Sequence, residues 1–170
     1  MNAVVFHYLP PCKRSDSVRF CSLVPNKWFP KDTELENSPT LVLVVAALIR
    51  DSLGRVLLQQ RPEGKAHAGL WEFPGGKVEP NENPRESLVR EIEEELGLAL
   101  YPSAMAPVGF ADIAPDYGES GIVILLYNAT VWSGEPEARE GGDLRWVPPS
   151  DLGNFPMPPL DVKLVRQIGP

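Results

Sequence analysis

The sequence predicts an α+β domain in which a few helices cover a β-sheet. Three observations carry that prediction. Strand-like segments outnumber helical ones, only two segments have helical character, and those two stand apart along the chain instead of alternating with strands as a doubly wound parallel sheet requires. The 170 residues are about one domain's worth, and 43% are hydrophobic, enough for a substantial core.

Residues 1–40 contain Pro10-Pro11, Pro25, Pro30 and Pro39, scattered charges and no sustained period, and read as an N-terminal extension, disordered or loosely docked. They lack an apolar stretch behind a basic start, so they do not read as a secretory signal. The folded domain is expected over residues 41–170. Leu41–Arg50 is a continuous, Val-rich run and predicts a buried strand. Asp51-Ser52-Leu53-Gly54 is a turn, and Arg55–Gln60 is a second strand, so 41–60 is expected to be a hairpin. Arg61–Gly69 is a polar loop. Leu70–Phe73 is a short extended piece, stopped by Pro74-Gly75-Gly76.

The strongest helix signal covers 84–97. Asn83 is a good N-cap, Pro84 suits the first helical position, and Glu86 falls at the capping-box spacing. Leu88, Val89, Ile92 and Leu96 form one apolar stripe, and Gly97 supplies the stop. Strands are expected over Met105–Ile113 and Gly121–Trp132, with a loop at Asp116–Gly121 between them. Gly134–Gly142 is a charged loop, Leu144–Val147 a short strand, and Val162–Ile168 a terminal helix.

Composition excludes several classes. The longest apolar run, Leu41–Ile49, is nine residues, far short of the roughly 20 that a membrane helix needs. With 16 basic and 23 acidic residues the formal charge is −7, opposite to that of a nucleic-acid backbone binder. Two cysteines, Cys12 and Cys21, make neither a disulfide scaffold nor a four-ligand zinc site, which agrees with a cytoplasmic location. The acidity is local. Residues 79–95 hold seven acids against two bases, a net −5, leaving only −2 for the rest.

On the predicted helix, Glu91, Glu94 and Glu95 are spaced i, i+3 and i+4 and share one face, on a different side from the apolar stripe. Like charges at that spacing cost about 0.2–0.5 kcal/mol per pair. They also stand in the C-terminal half, where the helix dipole disfavours anions. Arg90 is expected to pair back with Glu86, and one arginine does not neutralise the cluster. A hard divalent cation does, since carboxylate oxygens are the ligands Mg2+ and Mn2+ prefer.

A bare Glu-Glu-Glu run usually means only a solvated acidic face. Here the flanking residues add to it. From Gly76 the chain runs five residues to Glu82, seven more, then Arg90-Glu91-Ile92-Glu93-Glu94-Glu95-Leu96-Gly97-Leu98. This matches every defined position of the Nudix box, G-x5-E-x7-R-E-U-x-E-E-x-G-U with U aliphatic. Its seven fixed identities coincide by chance about once in 10⁸–10⁹ starting points. Within that family, Leu70-Trp71-Glu72-Phe73-Pro74-Gly75-Gly76-Lys77 resembles the MutT-type 8-oxo-dGTP diphosphatases.

The resemblance implies an αβα sandwich with a mixed sheet and Mg2+-dependent hydrolysis, with Mn2+ as the alternative ion. The implied substrate is a small nucleotide of the pool-sanitising type, a triphosphate attacked at the β-phosphorus to release monophosphate and pyrophosphate. Neither nucleic acid nor membrane is an implied partner, and the pattern selects neither monomer nor dimer. Family metal ligands fall on the Gly75 carbonyl, Glu91, Glu94 and Glu95. A further family carboxylate falls on Glu140 through the Gly134-Glu135-Pro136 lead-in. The general base is Glu94 or Glu140. Lys77 sits beside the phosphates or orients the base, and Arg61 matches a phosphate-contacting arginine. Phe73 is half core and half base platform, and His67, in the loop before the box, is a candidate substrate contact. Glu82 and Arg90 are expected to brace loop and helix.

Asp161 departs from the family pattern, standing where MutT-like proteins place a purine-reading Asn. An amide both donates and accepts, and so meets O6 and the N7–H of 8-oxoguanine. An ionised Asp only accepts, and suits the N1–H and N2–H2 edge that guanine and 8-oxoguanine share. Two readings compete with an oxidised-purine enzyme: a pyrophosphohydrolase for CTP or another nucleotide, and a non-catalytic nucleotide-binding domain. The second is disfavoured because Glu91, Glu94 and Glu95 are all present.

Overall fold

The computed structural model describes residues 41–114 and 120–168. The expectations for residues 1–40 and for most of the Asp116–Gly121 loop lie outside the described residues.

The long apolar run forms β1 (Leu41–Ile49), central in a four-stranded mixed sheet completed by β4 (Gly75–Lys77), β6 (Met105–Ile113) and β7 (Gly121–Ala129). The order is β4-β1-β7-β6. β1 runs antiparallel to β4 and parallel to β7, from Leu41 opposite Gly121 to Ile49 opposite Ala129. β6 pairs antiparallel with β7 and slips register between Pro107 and Gly109. A second sheet holds β2 (Val56–Gln60) between β3 (Trp71–Glu72) and β9 (Leu144–Val147), and β5 (Ala99–Leu100) pairs with β8 (Trp132–Ser133).

β1 is apolar, and from Val45 to Ile49 both of its faces are covered. Side chains alternate across a strand. Val45, Ala47 and Ile49 join Leu88, Ile92 and Leu96 of α1 (Pro84–Leu96) in one core. Ala46 and Leu48 join Leu160 and Leu164 of α2 (Pro159–Val165) in another. The sheet thus lies between two helical layers, the sandwich expected. Burying Leu88, Ile92 and Leu96 completely contributes roughly 1.5–3 kcal/mol each to holding α1 on the sheet.

Several local expectations are corrected. Residues 41–60 are not a ladder hairpin. Both edges of β1 are taken by β4 and β7, so β2 meets it only at the Arg50–Val56 bridge and enters the other sheet. Gly75-Gly76 does not merely stop a strand but belongs to one, paired with Ala46 and Val45. β7 ends at Ala129, and Trp132 belongs to β8. α2 begins at Pro159, earlier than expected, because its proline occupies the first helical position, where the missing N–H is harmless. The Asn83 side chain caps α1 by accepting from the Arg85 N–H, at 2.9 Å. Arg90 pairs with Glu82, Glu91 and Glu94, not with Glu86. Among the described residues no helix is long and apolar enough to cross a membrane.

Candidate active site

The site begins where α1 docks on β4. The buried Ser87 hydroxyl donates to the Lys77 carbonyl at 3.2 Å, and the Arg90 guanidinium reaches the same oxygen at 3.3 Å. Arg90 also grips Glu82 through both carboxylate oxygens, at 2.8 and 2.9 Å, tying the intervening loop to the helix. That contact holds the Glu82 carboxyl down at about 2. Helix and strand approach so closely that a Cβ on Gly76 would collide with the Glu91 carboxylate. Gly75, at φ +149°, has Val45 and Ala46 backbone where a Cβ would stand. Gly75 is a steric requirement of this packing, whereas at Gly76 only the mobile end of the Glu91 side chain stands in the way.

Glu95 lies one turn beyond Glu91. It is off the apolar stripe, as its spacing predicts, but it is also buried, with 9% of its surface exposed. Its Oε2 accepts from Gln59 Nε2 at 3.2 Å and from the Gly75 N–H at 3.3 Å. Burial, reinforced by the charges of Glu140 and Glu72 and opposed by those two hydrogen bonds, pushes its carboxyl up to about 7.

A cavity of about 740 Å³ opens beside these groups. Gly75, Lys77, Glu91, Glu95 and Glu140 line it, as do Arg61, His67, Phe73 and Asp161. Glu94 is not part of the lining. Its side chain is 58% exposed and turned to Arg90, at 3.2 Å. The i, i+3 and i+4 spacing places three carboxylates on one face, but a helical face is wide, and only Glu91 and Glu95 line the cavity. Arg61 is paired with Glu72 and donates from Nε to the Ala66 carbonyl. Glu140, on the loop after β8, is paired with Lys65. His67 is exposed with φ +61°. Phe73 is buried, more core than platform, and its N–H donates to Asp161 Oδ1 at 3.0 Å. Asp161 is 5% exposed, and burial pushes it up to about 7 against that hydrogen bond.

Three polar lining residues carry no role in the sequence pattern: Gln59, Lys65 and Glu72. Gln59 was hidden inside a strand whose pairing was misjudged. Glu72 stood in the quoted Trp-Glu-Phe-Pro-Gly-Gly stretch with no role attached. Lys65 carried no signal beyond being a loop cation.

Among the described residues no three acidic, His or Cys side chains stand already gathered as a ligand set. The donors nevertheless fit a hard divalent ion. Glu91 and Glu95 face one cavity a turn apart beside Gly75, and Glu140 is near enough for its charge to act on Glu95. All are oxygen donors, and Glu95 is a buried acid surrounded by like charge, which a cation would relieve.

A Nudix box with Glu91 and Glu95 facing a cavity, on a mixed-sheet sandwich, points to a family of hydrolases, and this chain belongs to the Nudix family, matching the NUDIX domain over residues 40–168. It is a MutT-like Nudix hydrolase acting on phosphoanhydride bonds. An 8-oxo-dGTP diphosphatase of Haemophilus influenzae is 34% identical over 128 residues, covering 75% of this chain and 91% of that one. A CTP pyrophosphohydrolase of Escherichia coli is 40% identical over 128 residues, covering 74% and 90%. Among solved structures, a MutT Nudix hydrolase from Burkholderia pseudomallei superposes with a TM-score of 0.67 at 30% identity, covering 76% of this chain and 99% of the other. The E. coli ORF135 protein gives 0.66 at 35% identity, covering 76% and 89%.

Proposed function

We propose that this Nudix pyrophosphohydrolase acts on 8-oxo-dGTP, and on dGTP to a lesser degree, releasing the monophosphate and pyrophosphate in a cytoplasmic nucleotide pool. The observation that carries the reading is Asp161, buried in the same cavity as the box carboxylates with one oxygen committed to the Phe73 N–H. Held near 7, it is protonated in a sizeable fraction of molecules at neutral pH. Its O–H then donates to a purine O6 while a lone pair accepts from N7–H, the pairing that marks the oxidised base.

In this reading the Gly75 carbonyl, Glu91, Glu95 and Glu140 hold Mg2+, or Mn2+, with Glu94 able to join them if Arg90 releases it. The bound ion supplies charge neutralisation of the triphosphate and lowers the pKa of water. Glu140 takes the proton from the attacking water. It lines the cavity whereas Glu94 does not, which favours it as the base. The new oxygen bonds to the β-phosphorus, and the α–β bridging oxygen leaves with the monophosphate. Lys77 and Arg61 meet the phosphates. His67 borders the opening, and Phe73 backs the base.

A second reading is supported by the 40% identity to the CTP pyrophosphohydrolase. A protonated Asp161 also pairs with cytosine, donating to N3 and accepting from the N4 amine. One panel separates the two: 8-oxo-dGTP, dGTP, CTP and ADP-ribose with Mg2+, scored for monophosphate and pyrophosphate. Highest kcat/KM for 8-oxo-dGTP supports the first reading, and CTP ahead by tenfold transfers support to the second. No turnover of any member by folded protein overturns both. Asp161→Asn is expected to raise the ratio of 8-oxo-dGTP to dGTP turnover, and an unchanged ratio removes Asp161 from base reading.

A further inference from the structure

The loop bearing Glu140 is fastened to the C-terminal turn of α1 by three donors. The Glu137 N–H donates to the Leu96 carbonyl at 3.0 Å, and the Arg139 N–H to the Glu95 carbonyl at 2.9 Å. Arg139 Nη1 donates to the Glu93 carbonyl at 2.9 Å. This is the negative end of the helix dipole. α1 has no base of its own in the last turn, where Glu93, Glu94 and Glu95 add three carboxylates. Arg139 brings the missing cation from outside the helix. Its guanidinium lies over Gly97, where a Cβ would come within 2.8 Å of Nε. Gly97 therefore does two things: it adopts φ +69° to end the helix, and it leaves the space that Arg139 fills.

Glu140 follows at once. Its backbone leaves a residue held at both main chain and side chain, so its carboxylate is delivered to the same cavity as Glu95, whose own carbonyl is one of the anchors. We infer that Arg139 is the positioning residue for Glu140, locking the loop to the helix so that the carboxylates from the two elements stand in fixed relation. This rests on the reading of Glu140 as the proton acceptor. Proton transfer needs hydrogen-bond reach to the attacking water, and a loop free to shift by an ångström loses it. Substrate binding, which uses other walls of the cavity, is less affected.

The test combines kinetics and amide exchange on the full chain with Arg139→Ala, Arg139→Lys, Glu140→Gln and the double variant Arg139→Ala/Glu140→Gln. Arg139→Ala is expected to lower kcat at least tenfold with KM within twofold, and Arg139→Lys to recover part of the loss. The double variant should match Glu140→Gln within twofold, because Arg139 acts through Glu140. A double variant tenfold worse than Glu140→Gln overturns the inference, as does full activity in Arg139→Ala. By NMR, exchange of the Glu137 and Arg139 amides should speed at least tenfold in Arg139→Ala while the Ile92 amide is unchanged. Retained protection contradicts the lock. Should the Ala variant not fold, Arg139→Gln takes its place in both arms. Unaltered turnover in Glu140→Gln alone defeats the role of Glu140, whereas turnover lost there and kept in Arg139→Ala defeats only the positioning.

Discussion

Glu95 and Asp161 are two carboxyls held out of water at the same cavity, each with too few partners to be at ease as an anion. Glu95→Gln keeps the shape and the acceptor oxygen for the Gly75 N–H but removes the charge. It should lower kcat by at least a hundredfold. Thermal denaturation at pH 8 without metal should show a Tm equal to or above that of the parent, since the ionised acid is costly there. A Tm well below the parent would mean that the acid stabilises the fold. Asp161 gives a pH prediction. Its carboxyl titrates near 3.8 when the chain is unfolded and at about 7 when folded. The folded state therefore holds the proton more tightly, and between about pH 4 and pH 7 stability falls as pH rises, with no further change above. Asp161→Asn should make the Tm-against-pH curve shallower over that window, leaving the share that Glu95 contributes, and raise Tm at pH 8. An unchanged slope would show that Asp161 is not the titrating group.

α1 is the element on which both the fold and the chemistry depend. Asn83→Ala removes the side-chain acceptor for the Arg85 N–H and should cost about 1 kcal/mol in urea denaturation. A change below a few tenths would mean that the cap is idle. This helix was readable in the sequence because its determinants are local: cap, first-turn proline, apolar stripe and terminal glycine all lie within fifteen residues. β6 and β9 were readable for the same reason, and their observed limits are those predicted. Pairing was not readable. Whether β2 continues a ladder with β1 depends on β4 and β7 claiming the edges of β1 first, and β7 arrives some eighty residues later in the chain. The site divides in the same way. Glu91 and Glu95 follow from the box, and Gly75 from the family resemblance around it. The inward aim of Glu95, the outward aim of Glu94, and the arrival of Gln59 and Lys65 depend on how separate elements meet.

At the scale of the whole molecule, two cores on opposite faces of one sheet hold two helices rigidly while loops from both sides reach a single cavity. α1 contributes Glu91 and Glu95, the loop after β8 contributes Glu140, and the start of α2 contributes Asp161. An acidic molecule of net charge −7 repels a nucleoside triphosphate unless cations stand between them. Chelation with EDTA should accordingly abolish turnover, and added Mg2+ should restore it. Turnover that persists without divalent ions would remove the metal from the account. The position of attack on the phosphoanhydride, proposed at the β-phosphorus, decides where the oxygen of water ends up. Hydrolysis of 8-oxo-dGTP in 18O-labelled water, with products read by mass spectrometry, tests it most directly. Attack at the β-phosphorus puts the label in pyrophosphate and leaves the monophosphate unlabelled, whereas label in the monophosphate places the attack at the α-phosphorus instead.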